Sequence, residues 1–535
     1  MDVRSCFKTS FTIADAAAMT PATVILSVLA TTWCTEAGKV LYLTFPQYSH
    51  LQTMNFAIDD LSRYGHELWT AYPDYLSSTV TNSSLNLIRM KGLGSMDVND
   101  ELYSAFLSAL DPGWTLSKFI VTVTNWKNTL NRMIDIRTIP ISSFSKVREI
   151  NHKILTDSDM LQEIRDKSFD LVIANGDIGL PLIIIPYILD LPFCILGNSY
   201  DPWRSGNPTL PSYLPYLAHG DIGTDSMTFL QRVKNTLAYL MKLDLPPFIY
   251  ESDVVTYAPD NTPITFTQLM INAKLWMVEQ DFVADFPRPL MPNTILVGGL
   301  SARNSSMLSG RFKDFYDISD SVVIVSFGGS VTTLSTELTD KLQQAFSMTN
   351  YNFVWKSDKP SWNQTKCLLT KWIPQNDLLG SSKTKLFITH GGNNGYFESI
   401  YHGVPMLGVP MFADQYYNTQ RLQHKGYGLA LDLYRNSAAD FADAISQIVE
   451  NPVFKKNVLR ASKLLRDRPM NSRQQIAYWI DHVIKYGDSH MRSAGLDLPW
   501  YKYVCLDVFL FLIFILITAS LVLCKLAQAL IARVL

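Results

Sequence analysis

The chain has no run of five or more basic residues, and its 46 lysines and arginines are balanced by 48 aspartates and glutamates. Without a basic patch it lacks the electrostatic footprint of a nucleic-acid-binding protein, so nucleic acid is excluded as a partner. None of the cysteines (Cys6, Cys34, Cys194, Cys367, Cys505, Cys524) stands in a CxxC pair or alternates with histidine at zinc spacing, which argues against a zinc site. Spread so widely, they do not make a disulfide framework either. There is no tandem repeat of short period and no low-complexity stretch. What is present is an apolar fraction of 47% in 535 residues, enough for two large domains plus accessory segments.

Two apolar segments bear on the compartment. "PATVILSVLATTWCTEAG" (Pro21 to Gly38) follows Arg4 and Lys8 and ends in the small residues Thr35 and Ala37. It reads as a secretory signal peptide over 1–37, with Met19 as an alternative start. "VFLFLIFILITASLVLC" (Val508 to Cys524) carries no charge, glycine or proline. Trp500, Tyr501 and Tyr503 collar one side of it, and Lys525 and Arg533 lie on the other. It reads as a transmembrane helix over 508–524 with a cytoplasmic tail over 525–535. Signal plus anchor predicts a single-pass type I membrane protein whose domains are lumenal, with sequons at Asn82, Asn304 and Asn363.

Between these segments, strand and helix patterns alternate. "KVLYLTF" (Lys39 to Phe45), a helical pattern over 48–65 and "HELWTAYP" form a β-α-β unit, and "FDLVIAN" (Phe169 to Asn175) and "LPFCILG" continue it. Three prolines in "DFPRPLMPNTILVGGL" (Asp285 to Leu300) mark a boundary, after which the alternation restarts at "SVVIVSFGGS". The prediction is an α/β protein of two doubly wound, Rossmann-like domains facing a cleft, with a C-terminal transmembrane helix.

The richest stretch is "HGGNNGYFESIYHGVPMLGVPMFADQ" (His390 to Gln415). A strand ending in Gly-Gly and entering a helix offers free N–H groups and the positive end of the helix dipole, which suit a phosphate. His390 and Asn394 add donors, Glu398 suits paired hydroxyls, and Asp414 and Gln415 suit sugar hydroxyls. A second glycine turn, "SFGGS" (Ser326 to Ser330), points the same way, and Trp372 and Gln375 suit stacking on and reading a base. "DSD" (Asp157 to Asp159) matches an Asp-x-Asp metal pair but precedes a helical pattern and reads as an N-cap, so no metal is expected.

"FVWKSDKP…KWIPQNDLLGSSKTKLFITHGGNNGYFESIYHGVPMLGVPMFADQYYN" resembles the signature region of the membrane-anchored UDP-glucuronosyltransferase/UDP-glycosyltransferase family, and further segments match it in order through the anchor. The resemblance implies a GT-B fold and an inverting enzyme that moves a hexose, glucuronic acid or glucose, from a UDP-sugar to a hydroxyl of a small lipophilic acceptor. UDP-sugar is then a co-substrate and no cofactor is needed. The resemblance assigns uracil to Trp372, base or ribose to Gln375, and ribose to Glu398. Diphosphate falls to Ser326, Gly328, Gly329, His390, Gly392 and Asn394, and the sugar to Asp414 and Gln415. It makes His50 of "YSH" the general base and places the protein in the endoplasmic reticulum membrane.

Two departures qualify that assignment. The family usually has an aspartate supporting the base where this chain has Asn175, with Asp177 two residues on as a substitute. Glu279 stands where several glucuronosyltransferases carry a basic residue, which favours a neutral sugar. Asn175 also keeps open a catalytically silent member that binds lipophiles. A sphingolipid or sterol glycosyltransferase differs only in acceptor, and a homo-oligomer is compatible with all of these. The implied division is an acceptor-binding domain over 38–285, a linker over 286–300, a UDP-sugar-binding domain over 301–450, and helices and stem over 451–507.

Overall fold

The computed structural model describes residues 37–58, 60–73, 76, 85–93, 141–198, 205–208, 210–215, 224–241, 249–329, 334–357, 366–411 and 414–534. The expected signal segment, apart from its last residue, and the sequons at Asn82 and Asn363 lie outside these. Two parallel sheets organise the chain. The first contains β1 (Lys39–Leu43), β2 (Glu67–Tyr72), β3 (Leu85–Arg89), β4 (Leu171–Asn175), β5 (Phe193–Gly197), β6 (Trp276–Val278) and β7 (Thr294–Leu296), in the order β3-β2-β1-β4-β5-β6-β7. The second contains β8 (Val322–Ser326), β9 (Asn352–Lys356), β10 (Cys367–Thr370), β11 (Thr384–Thr389), β12 (Met406–Gly408) and β13 (Gly428–Ala430), in the order β10-β9-β8-β11-β12-β13.

Buried parallel strands are covered by helices on both faces, so they read as continuous apolar runs rather than alternating ones. LVIAN, FCILG and VVIVS, the sequences of β4, β5 and β8, are buried at every position. In both sheets the strand order reverses between a central pair, β1 with β4 and β8 with β11. Helices on either side of such a pair diverge, which opens a crevice at the strands' carboxyl ends.

Several boundaries differ from the sequence reading. The proline-rich stretch read as linker contributes β7, which pairs with β6 and closes the first sheet. The helix Ser472–Tyr486, past the second domain, returns to the first and packs Ile476, Ala477, Ile480 and Val483 against Leu51, Met54 and Leu61. The Asp157 carboxylate caps the helix Ser158–Lys167 by accepting from the Met160 N–H at 3.1 Å. The last helix, Leu506–Val534, continues through the stretch read as a tail. Its segment Leu506–Ala532 contains an 18-residue window of mean hydropathy 2.8, none of which is buried. At 1.5 Å per residue it is about 40 Å long, enough to cross a bilayer core of roughly 30 Å.

The two domains are joined by a buried charge cluster. Asp285 accepts from the Tyr417 hydroxyl at 2.7 Å and lies 3.4 Å from the Arg421 guanidinium, with both charged side chains fully buried. Burial alone would push the Asp285 carboxyl up, but Arg421 and Arg288 more than offset it and hold it below the usual carboxylate range. Removing one partner of such a pair leaves an uncompensated buried charge. Arg421→Met is therefore expected to lower stability by about 3–5 kcal/mol. Thermal unfolding of the detergent-solubilised chain checks this, and a variant as stable as the parent would deny the pair this role.

Candidate active site

The crevice of the second sheet is built around His390, the residue after β11. Its ring lies between two glycines. A Cβ on Gly328 would come within 2.8 Å of the ring, and one on Gly392 within 2.5 Å of Nε2. Gly328 also has φ 82°, a left-handed conformation that side chains rarely adopt. Glycine is required at both positions to let the imidazole approach the two turns. Burial, reinforced by the nearby charge of Lys356, lowers the His390 pKa to about 4, so the ring is neutral at physiological pH. Its Nδ1 is buried with no partner among the described residues.

Gly392 is the N-cap of the helix Asn393–His402, and no side chain caps it. The first-turn N–H groups of such a helix have no intrahelical acceptor and carry the positive end of the dipole. Lys356, at the end of β9, adds a cation here by donating from Nζ to the Gly328 carbonyl at 2.8 Å. The sequence reading passed over this lysine, although its place at a strand end beside a glycine turn was a usable signal. Asn394 is the second residue of the helix. Asn393, also passed over, crosses to the first domain and donates to the Glu279 carbonyl at 3.0 Å and to Asn198 Oδ1 at 3.3 Å. Ser326 ends β8, where its hydroxyl accepts from the Gly328 N–H at 3.4 Å.

One turn into the same helix, Glu398 accepts from Gln375 Nε2 at 2.7 Å. These two predicted residues therefore form one acceptor-donor pair. Burial raises the Glu398 pKa to about 7, opposed by the Gln375 hydrogen bond. Trp372, just past β10, is 60% exposed. A ring left that open by the fold is available for stacking. Gln415 is buried, and its carbonyl oxygen accepts from the Met411 N–H at 2.9 Å, which shapes the loop after β12. Asp414 accepts from Asn418 Nδ2 at 2.8 Å.

The first sheet presents its own crevice opposite. His50 lies in the helix Tyr48–Ile58 that follows β1, and Asn175 ends β4, so the two strands of the reversal bring them together. Asn175 Nδ2 is 3.1 Å from His50 Nδ1. Burial lowers the His50 pKa to about 4. Asp177 is turned elsewhere: its carboxylate accepts from the Asn198 N–H, with both oxygens at 3.3 Å. The structure joins His50 to Asn175 and leaves Asp177 out of that contact.

Asp177, Glu279 and Asp414 form an electrostatically coupled acidic group between the domains. Burial, with Asp414 adding to it, raises Asp177 to about 7. Burial, with both other carboxyls adding, raises Glu279 to about 8, and burial also raises Asp414. An acid whose folded pKa lies above its unfolded value holds its proton more tightly when folded. Its stabilisation is complete below the unfolded pKa and is lost as pH rises through the folded one. Between pH about 4.5 and about 8 the ligand-free protein should thus lose stability through Glu279. Glu279→Gln should flatten that slope and raise the unfolding free energy at pH about 8–9, by up to about 1.4 kcal/mol for each pH unit separating the two pKa values. Unfolding curves across pH check this, and an unchanged slope would contradict it.

Comparison with known proteins fits this geometry. Residues 38–535 match the family model described as "UDP-glucoronosyl and UDP-glucosyl transferase". The chain is 30% identical over 520 residues to human UDP-glucuronosyltransferase 2B15, covering 92% of each chain. It is 30% identical over 517 residues to mouse UDP-glucuronosyltransferase 1A9, covering 94% of each. Among solved structures it resembles the glycosyltransferase VinC in complex with dTDP, at TM-score 0.57 and 15% identity, covering 84% of this chain and 100% of that one. It also resembles Phytolacca americana UGT2 complexed with UDP-2-fluoro-glucose and pterostilbene, at TM-score 0.54 and 17% identity, covering 83% and 99%. These neighbours share the GT-B architecture of two parallel α/β sheets. The chain belongs to the family of UDP-glucuronosyl and UDP-glucosyl transferases, and it is a glycosyltransferase.

Proposed function

We propose that the protein is an inverting transferase that moves a neutral hexose from a UDP-sugar to an oxygen of a small lipophilic acceptor. The carrying observation is the pairing of two strand-order reversals. One holds the glycine-flanked His390, Lys356 and an uncapped helix start, a donor-rich place for a diphosphate. The other holds His50.

In this reading Trp372 stacks on uracil, and Gln375 and Glu398 take the ribose hydroxyls. Asn394 and the first-turn amides join His390 on the diphosphate, with the glycines Gly328, Gly329 and Gly392 giving close approach. As the bond from C1 to the diphosphate breaks, the charge growing on UDP develops against these donors, which are already in place. Asp414 and Gln415 lie at the sugar. The aglycone enters from the first domain, and the last helix holds the enzyme in the endoplasmic reticulum membrane, domains lumenal, beside membrane-dissolved acceptors.

The choice of a neutral sugar rests on the acidic group. A glucuronate carboxylate would be buried beside Asp177, Glu279 and Asp414, acids that burial already drives toward their neutral forms, whereas the hydroxyls of an uncharged sugar can hydrogen-bond to them without burying another charge. Both curated relatives named above are glucuronosyltransferases, so the donor is the point to test.

Transfer from radiolabelled UDP-glucose and UDP-glucuronate to a mixed phenol panel, on membranes expressing the full chain, should favour UDP-glucose. Clear preference for UDP-glucuronate would overturn the neutral-sugar reading. His390→Ala should lower kcat/KM by about 10²–10³, the usual effect of removing one donor from a developing charge. If UDP-sugars bind to the parent chain and no acceptor in the panel is glycosylated, the silent lipophile-binding reading, which Asn175 favours, takes precedence.

A further inference from the structure

Asn175 does more than stand beside His50. Its side-chain oxygen faces the N–H of Gly179 at 3.2 Å, while its side-chain nitrogen faces His50 Nδ1 at 3.1 Å. A main-chain N–H can only donate, so the atom opposite it must be the amide oxygen. The amide nitrogen then points at His50. It too can only donate, so Nδ1 must accept. A neutral imidazole has one N–H, and with Nδ1 accepting, the hydrogen sits on Nε2.

Turning the amide over would set its NH2 against the Gly179 N–H and leave a buried donor unmatched. The turn cannot easily move away, because it is packed onto the amide. A Cβ on Gly179 would come within 2.9 Å of Asn175 Oδ1, 3.0 Å of Asn175 Cβ and 3.1 Å of Phe45 Cβ. An aspartate at 175 would behave differently. Its two oxygens could accept from Gly179 and from an Nδ1–H together, freeing the Nε2 lone pair.

We infer that Asn175 holds His50 in the tautomer whose Nε2–H donates, and that the site therefore selects acceptors that arrive as oxyanions, such as acidic phenols and carboxylic acids, over neutral alcohols. This rests on the transferase reading above and names its acceptor class. With an oxyanion the step balances without a base. The acceptor oxygen forms its bond to C1, the bond from C1 to the diphosphate oxygen breaks, and the electron pair leaves on UDP. The Nε2–H positions the attacking oxygen by a hydrogen bond. A neutral alcohol must also lose a proton, and Nε2 has no lone pair to take it. Asn175 is a positioning residue, acting through His50.

The test compares the parent chain with Asn175→Asp on an acceptor series from para-nitrophenol to cyclohexanol, with equilibrium binding of the UDP-sugar measured alongside. The ratio of cyclohexanol to para-nitrophenol turnover should rise about tenfold or more in Asn175→Asp, part of the 10²–10⁴ that a positioned base supplies. An unchanged ratio, or a parent enzyme that uses the alcohol as well as the phenol, would overturn the inference. Nitrogen-15 spectra of histidine-labelled full chain, with the His50 signals assigned by their loss in His50→Gln, read the tautomer independently of turnover. A pyridine-type Nδ1 and pyrrole-type Nε2 are expected, and the reverse pattern would overturn the inference. Failure of the UDP-sugar to bind would instead count against the transferase reading itself.

Discussion

The site depends on one topological constraint, the reversal of strand order in each of two parallel sheets. Between β1 and β4, and again between β8 and β11, the covering helices part. Each crevice collects what the chain places just beyond those strand ends. In the first sheet these are His50 and Asn175, and in the second Gly328, His390 and Gly392. The residues come from segments far apart in sequence, and the topology alone brings them to a common place. The buried Asp285–Arg421 contact and the Asn393–Glu279 hydrogen bond then tie the two crevices to each other.

The electrostatics of the two sides differ. The second domain offers donors and a cation: the helix start, the neutral His390 and Lys356. Between the domains lie carboxyls that burial pushes toward their neutral forms. A diphosphate suits the first environment, and an uncharged sugar suits the second better than an acidic one. His50 stands at the third position, where its behaviour is decided by the hydrogen-bonding sense of a neighbouring amide rather than by a carboxylate.

Much of this was legible in the sequence because it follows from local pattern. Apolar runs such as VVIVS and LVIAN announced buried parallel strands, and glycines at strand-to-helix junctions announced the second crevice. Gln375 and Glu398 were each legible as ligand-facing residues, but their hydrogen bond to each other was not. What was not legible depends on long-range packing. Arg421 and Asp285 are ordinary charges in sequence and become a fully buried pair only when the domains meet. Asn393 has no pattern in sequence that marks it, because its partner, the Glu279 carbonyl, lies on the other domain. β7 hides in a proline-rich stretch because three residues are enough to add a strand to a sheet edge. Asp177 lay close to Asn175 in sequence, but the turn after β4 points it at the Asn198 N–H. The sense of the Asn175 amide needed the position of a single N–H, that of Gly179.

In the proposed reaction the acceptor attacks C1 from the first crevice while UDP departs into the second. The two events then occur on opposite faces of the sugar, in a single displacement. The anomeric configuration of the product made from α-linked UDP-glucose, read by proton coupling at C1, tests this most directly. A β-linked product is expected, and an α-linked product would overturn the single displacement.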